Sequence, residues 1–251
     1  MRNNEQQNET LCQEKKQKLL KLAETISFPE EHLALLQQAL THPAFFEGQK
    51  SAGRHPKDNQ RLEYLGDAVL DLVVGEYLYH AYPEAWEGEL SKMRAVIVCE
   101  ASLAVQAQSL GIGEVLRLGR GSEASGDRSR PSVLADAFEA ITGALFEVCG
   151  LEAARHFLYQ QFKPRMDRLS PEDYEDKKSL LQELVQRYSP YGVTYKLIGM
   201  NGPDHAPSFQ SGVYWGKLLL AEGIGSSKKE SEQAAALAAL RSKEQWLRCL
   251  E

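Results

Sequence analysis

The sequence predicts an all-α domain followed by a small α+β domain with the element order α-β-β-β-α. Apolar residues recur at helical spacing over residues 26–162, whereas strand-like alternation does not occur there. Residues 163–175 hold two prolines and several charges, which is typical of an exposed linker. Residues 176–248 then show two helix patterns around three short strand-like runs. A chain of 251 residues is long enough for these two domains.

The first elements are a polar tail and a short amphipathic helix. Residues 1–25 are rich in Gln, Asn, Glu and Lys, and predict a frayed tail that leads into a helix. Residues 26–40 predict a helix with Pro29 at its start. Pro43 ends this helix because proline disfavours helix at the preceding residue. That residue, His42, is interpreted as a structural hydrogen-bonding group rather than a catalyst.

The most informative stretch is Asn59–Leu70, whose apolar residues recur at helical spacing and predict a helix that runs to about Ala81. Glu63 and Asp67 are four residues apart, so their carboxylates share one helix face. Gly66 lies between them, although glycine inside a helix costs roughly 1 kcal/mol relative to alanine. A fold tolerates that cost where another backbone or a ligand must come close.

A second acidic pair occurs in the apolar helical segment Leu134–Val148. Asp136 and Glu139 are three residues apart and again share a helix face. Each pair alone also fits an ordinary solvated surface. If the two helices converge, four carboxylates surround one point, and they stay ionised together only with cations among them. Ligation by oxygen alone suits Mg²⁺ or Mn²⁺ rather than zinc.

The rest of the first domain is also helical by pattern, with one loop. Glu87–Leu90 opens a helix, and Leu151–Phe162 predicts a final packing helix. Gly111–Pro131 is rich in Gly and Ser and predicts a flexible loop. Its arginines suit phosphate contacts, but they fit a solvated loop equally well. These arginines are Arg117, Arg120, Arg128 and Arg130.

The second domain begins with a helix over Ser179–Tyr188. The strand-like runs are Val193–Met200, Ser208–Val213 and Leu218–Gly223, and turns separate them. An alanine-rich helix follows over Ser227–Leu247.

The composition limits the cellular compartment and the kinds of partner that we expect for this protein. The four cysteines are scattered, with no CxxC pair and no neighbouring His, which indicates reduced thiols in a cytoplasmic protein. No apolar run approaches the ~18–20 residues of a membrane span, and the polar N-terminus lacks the apolar core of a signal peptide. The net charge of −6 lies in the first part, since residues 176–251 hold 10 Lys and Arg against 8 Asp and Glu.

Several segments resemble one family in the same order. Asn59–Leu70 closely resembles the signature helix of the ribonuclease III family, the double-stranded-RNA endonucleases. Glu87–Ser91, Arg130–Leu145 and the last third of the chain are similar to the same family. The resemblance covers nearly the whole chain after about residue 25, and its motifs are specific because independent segments match at compatible spacing.

The resemblance implies Mg²⁺-dependent hydrolysis of double-stranded RNA to 5′-phosphate and 3′-hydroxyl ends, with Mn²⁺ as a substitute and ribosomal RNA precursors as substrates. Asp67 and Glu139 match the acids that are called catalytic in the family. Glu63 and Asp136 match pure ligands, which makes all four acids metal ligands. One ion would lower the pKa of a bound water, and a second, ~3.5–4 Å away, would stabilise the leaving oxygen.

The family also implies a homodimer with facing signature helices. The position of Tyr64 is usually a bulky aromatic in a pocket of the partner, while the alternative is a tyrosine in its own core. Glu87 either hydrogen-bonds a metal-bound water, as its family position is thought to do, or is a helix-start acid favoured by the helix dipole. Gln60 departs from the glutamate of most relatives, so it cannot contribute charge to the metal cluster.

The last third is similar to the double-stranded-RNA-binding domain. Its three anchors are the helix face with Gln182 and Glu183, the loop with His205, and the helix start with Lys228 and Lys229. Polar side chains there suit the 2′-hydroxyls of the A-form minor groove. The lysines add charge where helix N–H groups already favour anions.

Two other classes of protein fit this sequence less well than a nuclease does. A non-catalytic RNA-binding regulator has no reason to gather four carboxylates beside phosphates. A phosphohydrolase acting on nucleotides has no need of a domain that recognises duplexes. The sequence therefore favours the nuclease.

Overall fold

The structure is a computed structural model, and it describes residues 2–47, 57–174, 176–203 and 207–247. The chain divides into two compact units, residues 1–169 and 170–251, which are described separately. The predicted all-α first domain and α-β-β-β-α second domain are confirmed. Among the helices of the described ranges, none is long and apolar enough to cross a membrane.

The first unit is helical. Its helices are α1 (Arg2–Thr25), α2 (Leu33–Ala39), α3 (Gln60–Ala81), α4 (Glu87–Ile97), α5 (Glu100–Ser109), α6 (Ile112–Val115), α7 (Arg120–Ala124) and α8 (Pro131–Met166). Helix α3 packs along α8 at the centre, and α5 packs against α8 as well. The most buried large side chains include Leu70 and Leu78 on α3 and Phe138, Phe157 and Phe162 on α8.

Two glycines let α3 and α8 touch backbone to backbone. A Cβ on Gly66 would lie 1.7 Å from the carbonyl oxygen of Glu139, and a Cβ on Gly143 would lie 2.2 Å from that of Leu62. Real Cβ atoms do not approach so closely, so both positions require glycine. The close approach of another backbone therefore explains the helix-interior glycine of the signature stretch.

Helix α8 is two helices in series. Gly150 has φ 79° and ψ −179°, which interrupts the helix between the predicted segments Leu134–Val148 and Leu151–Phe162. The second part continues to Met166, which is fully buried. The first four residues of the predicted linker are therefore helical, because Met166 still packs into the core.

Two predicted segments differ in detail. The helix expected over residues 26–40 is a 3₁₀ turn, Glu30–His32, followed by α2, and Ile26 and Phe28 are buried in the connection before it. Proline at position 29 precedes the turn in an extended conformation. The loop expected over residues 111–131 contains α6, α7 and a 3₁₀ turn, Asp127–Ser129.

The second unit is a three-stranded sheet covered by helices. Its elements are α9 (Pro171–Tyr174), α10 (Lys177–Gln186), β1 (Val193–Asn201), β2 (Ser208–Trp215), β3 (Leu218–Gly225), α11 (Lys228–Arg241) and α12 (Lys243–Leu247). The strands are antiparallel in the order β1-β2-β3, with Val213 of β2 paired to Tyr195 and Ala221. Helix α11 contacts β3 closely, because a Cβ on Gly223 would lie 2.1 Å from the backbone nitrogen of Ala235.

Helix α12 closes the core of the second unit. Trp246 is only 4% exposed and its indole N–H donates to the carbonyl oxygen of Ala239 at 2.7 Å. Its ring meets that of Trp215 edge to face, with the centroids 6.0 Å apart.

Candidate functional site

The crossing of α3 and α8 brings acidic side chains together. Glu63 of α3 and Asp136 and Glu139 of α8 each place a carboxylate oxygen within 4.8 Å of the others. All three side chains are half-buried. The two helices therefore converge, with about seventy residues of chain between them, but they bring together three of the four predicted carboxylates rather than all four.

The carboxylates of this cluster hold their protons unusually well. Burial, followed by repulsion from Asp67, Glu63 and Asp136, raises the pKa of Glu139 to about 8. Burial, followed by repulsion from Asp136, Asp58 and Asp67, raises the pKa of Glu63 to about 7. Burial also raises the pKa of Asp136, although His42 opposes the shift.

Asp67 lies at the edge of this cluster. It is exposed, one helical turn beyond Glu63, and its oxygens fall outside the set that shares the 4.8 Å separation. Its charge nevertheless raises the pKa of both Glu63 and Glu139. For Glu139 it is the largest cause after burial.

The donor set fits a hard divalent cation. In the described ranges, Lys and Arg form ion pairs elsewhere and none with these four acids. Carboxylate oxygens with raised pKa values and no cationic partner have lost part of their hydration without compensation. A bound divalent cation would supply that compensation, and oxygen ligands are those that Mg²⁺ and Mn²⁺ prefer.

Two polar residues that the sequence singled out, His42 and Glu87, have hydrogen bonds to their own segments. The Nδ1 atom of His42 accepts from the backbone N–H of Ala44 at 3.2 Å and caps a 3₁₀ turn, as expected of a structural hydrogen-bonding residue. Glu87 lies in the first turn of α4, where it accepts from the hydroxyl of Ser91 at 2.9 Å. Its described contact is thus that of a helix-start acid.

Arginines of residues 111–131 make contacts within the first unit. Arg128 pairs with Glu123, and its Nη1 donates to the carbonyl oxygens of Gly113 and Leu116. The guanidinium of Arg117 lies 4.2 Å from the centre of the Phe45 ring. These two arginines stabilise the turns. The exposed Arg120 and Arg130 remain for the phosphate-contact hypothesis, although Arg130 also pairs with Asp127 at 3.6 Å.

Tyr64 points away from the core of its own unit. The side chain is 82% exposed, and Leu72, two turns further along α3, is 55% exposed. The alternative that Tyr64 is a core residue of its own chain is therefore wrong.

The second unit presents the predicted RNA-contact residues on α10 and α11. Glu183, Lys228 and Lys229 are exposed, while the Oε1 atom of Gln182 accepts from the backbone N–H of Val193 at 3.0 Å. The amide oxygen of Gln182 thus anchors β1, and its NH₂ group remains a donor. His205 lies outside the described residues.

The start of α11 is well formed. The hydroxyl of Ser227 accepts from the backbone N–H of Glu230 at 3.2 Å, and the carboxylate of Glu230 accepts from the backbone N–H of Ser226 at 2.8 Å. Lys228 and Lys229 follow this cap directly, at the positive end of the helix dipole.

A helical unit with a carboxylate cluster, followed by an α-β-β-β-α unit with lysines at a helix start, defines a nuclease that acts on double-stranded RNA. Residues 32–166 match the family model described as ribonuclease-III-like, and residues 177–243 match the double-stranded RNA binding motif. The chain belongs to the ribonuclease III family and is an endoribonuclease.

The curated relatives agree over most of the chain. It is 50% identical to the ribonuclease 3 of Moorella thermoacetica over 86% of this chain and 91% of the relative. It is 47% identical to that of Heliobacterium modesticaldum over 88% and 93%. A solved nuclease domain of Campylobacter jejuni ribonuclease III superposes with a TM-score of 0.52 at 39% identity, covering 60% of this chain and 97% of that one.

Proposed function

We propose that this endonuclease uses Mg²⁺ held by Glu63, Asp67, Asp136 and Glu139 to hydrolyse phosphodiesters of double-stranded RNA. The single observation that supports the proposal is the unpaired cluster of Glu63, Asp136 and Glu139 within 4.8 Å. The products are 5′-phosphate and 3′-hydroxyl ends. Mn²⁺ substitutes for Mg²⁺, because it also accepts ligation by oxygen alone.

The chemistry divides between the ion and the chain. A divalent cation in this site polarises the phosphate and lowers the pKa of water. Glu63 and Asp136 act as ligands that fix the position of the cluster between the two helices. Asp67 and Glu139 are ligands of the same cluster and match the acids that are called catalytic in the family. The pKa of Glu139 is raised further than that of Glu63, to about 8, so near neutral pH Glu139 binds a proton unless positive charge is present.

Glu139→Gln tests this assignment. The amide keeps the size of the side chain but removes a charged ligand, so we expect normal binding of duplex RNA and loss of cleavage at physiological Mg²⁺. Binding is measured by mobility shift with EDTA, and cleavage with labelled duplex and Mg²⁺. Glu147→Gln is the matched control, because Glu147 is exposed on the same helix. Unchanged turnover in Glu139→Gln would remove Glu139 from the site.

We also propose a homodimer through the exposed face of α3. Tyr64 and Leu72 are eight residues apart and share that face, which leaves a large aromatic and an aliphatic side chain in contact with solvent. One site cuts one strand, so two copies account for cutting both strands. Tyr64 fills a pocket of the partner in this arrangement.

Sedimentation of Tyr64→Ala tests the dimer. We expect dissociation to monomers at concentrations where the unchanged protein is dimeric. The control is Tyr191→Ala, because Tyr191 is also highly exposed, at 77%, but belongs to the second unit. A Tyr64→Ala dimer of undiminished affinity argues against the contact.

The second unit holds the duplex in this proposal. Gln182, Glu183 and His205 contact 2′-hydroxyls, and Lys228 and Lys229 contact phosphates. The substrates are structured transcripts in the cytoplasm, namely ribosomal RNA precursors together with messenger and transfer RNAs.

A further inference from the structure

The sheet of the second unit has one face covered by helices and one face that is open. Ser211 and Val213 of β2 are fully buried on the covered face, where the hydroxyl of Ser211 lies 2.7 Å from that of Ser231 on α11. Successive residues of a strand point to opposite faces, so Gly212 and Tyr214 belong to the open face. On an antiparallel sheet with one buried face, the other face usually carries polar side chains.

The open face is instead apolar around Gly212. A Cβ on Gly212 would lie 2.7 Å from Cδ1 of Ile198 and 3.0 Å from Cε2 of Tyr214. The same Cβ would lie 3.1 Å from Cδ1 of Leu219, so side chains from all three strands converge over this glycine. Ile198, Leu219 and, further along β3, Ile224 are exposed. Apolar side chains that are exposed as a group, rather than singly, mark an interaction surface.

Opposite charges flank these apolar side chains at matching positions. Lys196 of β1 and Glu222 of β3 both pair with Gly212, so they stand on either side of it in one row across the sheet. The Nζ atom of Lys196 lies 5.2 Å from the centre of the Tyr214 ring. Glu222 accepts from the Nε2 atom of Gln210 at 2.7 Å. Both charges are exposed on the open face, and within the described residues neither forms an ion pair.

This row of residues is complementary to itself. When two open faces meet about a two-fold axis that runs along β2, β1 of each copy lies over β3 of the other. Each Lys196 then faces the partner's Glu222, and each Ile224 faces the partner's Gly199, which pairs with Gln210 in the row of Ile224. Packed sheets lie about 10 Å apart, a gap that a lysine and a glutamate side chain span together.

We propose that the open sheet face is a docking surface for the same face of a second copy of this chain. Duplex RNA is a poorer occupant, because Glu222 repels phosphates and the predicted RNA-contact residues Lys228 and Lys229 lie on α11. The contact goes beyond the proposed function, since it belongs to the second unit and is separate from both the acidic cluster and the α3 face.

Sedimentation equilibrium of full-length Tyr64→Ala, up to its solubility limit, tests the sheet contact apart from the α3 contact. We expect a dimer that forms only above the concentrations at which the α3 dimer forms. Adding Lys196→Glu or Glu222→Lys places like charges opposite one another and should weaken this dimer at least about tenfold. Lys217→Glu is the control, because Lys217 is exposed in the turn between β2 and β3, away from the row.

A mixture of the two reversed proteins sharpens the test. In a mixed pair, the two acids of the Lys196→Glu chain face the two lysines of the Glu222→Lys chain, so both charge pairs are restored. We therefore expect association to return in the mixture although each variant alone stays monomeric. A residue that only supports the fold of its own chain would give no such recovery.

The outcomes are decisive for the sheet contact alone. A Tyr64→Ala protein that stays monomeric at every concentration, or a dimer that neither reversal weakens, overturns the inference, as does a mixture that associates no better than its components. Loss of duplex binding in Lys196→Glu with unchanged sedimentation would identify an RNA surface instead. Should a reversal unfold the second unit, Ile224→Asp replaces it, since a carboxylate buried between the sheets should abolish the dimer. Cleavage by the acidic cluster is measured separately and is not changed by these results.

Discussion

Both units use a glycine to let two backbones touch, but the pKa values of the acids near these contacts shift in opposite directions. In the first unit, Gly66 lets α3 touch α8, and in the second unit, Gly223 lets β3 touch α11. The first contact gathers carboxylates whose burial raises the pKa of Glu63 to about 7 and that of Glu139 to about 8. In the second unit, hydrogen bonds from Ser226 lower the pKa of Glu230.

Asp176, at the start of α10, follows the pattern of Glu230. Burial alone would raise its pKa, but hydrogen bonds from Ser179 and Gln233 outweigh burial and lower it. Asp176 and Glu230 therefore stabilise their helix starts, whereas burial and mutual repulsion make the ionised forms of Glu63 and Glu139 costly in the folded first unit.

The largest expected effect is that of Gly66→Ala. Its Cβ would lie 1.7 Å from the carbonyl of Glu139, so the helices must separate and the cluster must widen. We expect a loss of about 3 kcal/mol in the free energy of unfolding of the first unit and loss of Mn²⁺ binding. Urea unfolding followed by hydrogen exchange of α3 measures the stability.

Two variants sharpen that result. Gly75→Ala lies on the same helix with nothing within 4 Å of the new Cβ, so it should stabilise by roughly 0.5–1 kcal/mol. Gly223→Ala should destabilise the second unit and leave Mn²⁺ binding unchanged. If Gly66→Ala behaves like Gly75→Ala, the backbone contact does not set the site.

An effect of intermediate size is expected on the pH dependence of stability, which should differ between the two units. The raised pKa values of Glu63 and Glu139 mean that the folded first unit binds protons that the unfolded chain has lost. Their contribution is full below about pH 4.5 and is lost as the pH rises through 7 and 8. With EDTA present, we expect the protection factors of the α3 amides, which correct for the rise of the intrinsic exchange rate with pH, to fall over that range.

The second unit should show the opposite sign. The lowered pKa values of Asp176 and Glu230 give stability that is present near neutrality and lost only in acid, so the protection factors of the α11 amides should change little between pH 5 and 8. Added Mg²⁺ at pH 8, or Glu139→Gln, should raise the protection factors in α3 alone. A first unit whose protection factors in EDTA do not change with pH contradicts the comparison.

The smallest effect is expected from Lys228→Gln with Lys229→Gln. Both side chains are exposed, so folding should be unchanged. The dependence of RNA affinity on salt should lose about one unit of slope for each lysine, while cleavage at saturating RNA stays normal. Lys243→Gln is the control, since Lys243 lies on α12. A slope equal to that of the unchanged protein would remove both lysines from the RNA surface.

Most of the fold can be predicted from the sequence because the signals for its helices and strands are local. The helical spacing around Glu63 and the strand-like runs after residue 190 each depend on a few neighbouring residues. The helix-interior Gly66 indicated that another backbone or a ligand comes close, and the structure shows that it is a backbone. The pairing of the two acidic helices followed from the cost of unpaired charge.

The features that the sequence does not predict depend on contacts between distant residues. The pattern of residues 111–131 does not show that Arg128 donates to the carbonyls of Gly113 and Leu116 instead of facing solvent. Nor does the polar sequence before α3 show that Asp58 is buried. Its carbonyl accepts from the Nε2 atom of Gln38, and the N–H of the next residue, Asn59, donates to the carbonyl of Thr41, both about twenty residues earlier. An arginine or aspartate between glycines and prolines is as compatible with solvent as with a core.

Trp246 sets a lower limit on the length of the RNA-binding module. The match to the double-stranded RNA binding motif stops at residue 243, yet this indole lies three residues later and fills the space beside Trp215. A fragment trimmed to the motif would expose the Trp215 ring edge and the carbonyl of Ala239 that accepts the indole N–H. Anyone isolating the module should therefore keep α12. Without it, we expect a soluble but loosely packed fragment, whose weak RNA affinity would reflect the loss of α12 and not a change in the RNA-facing residues.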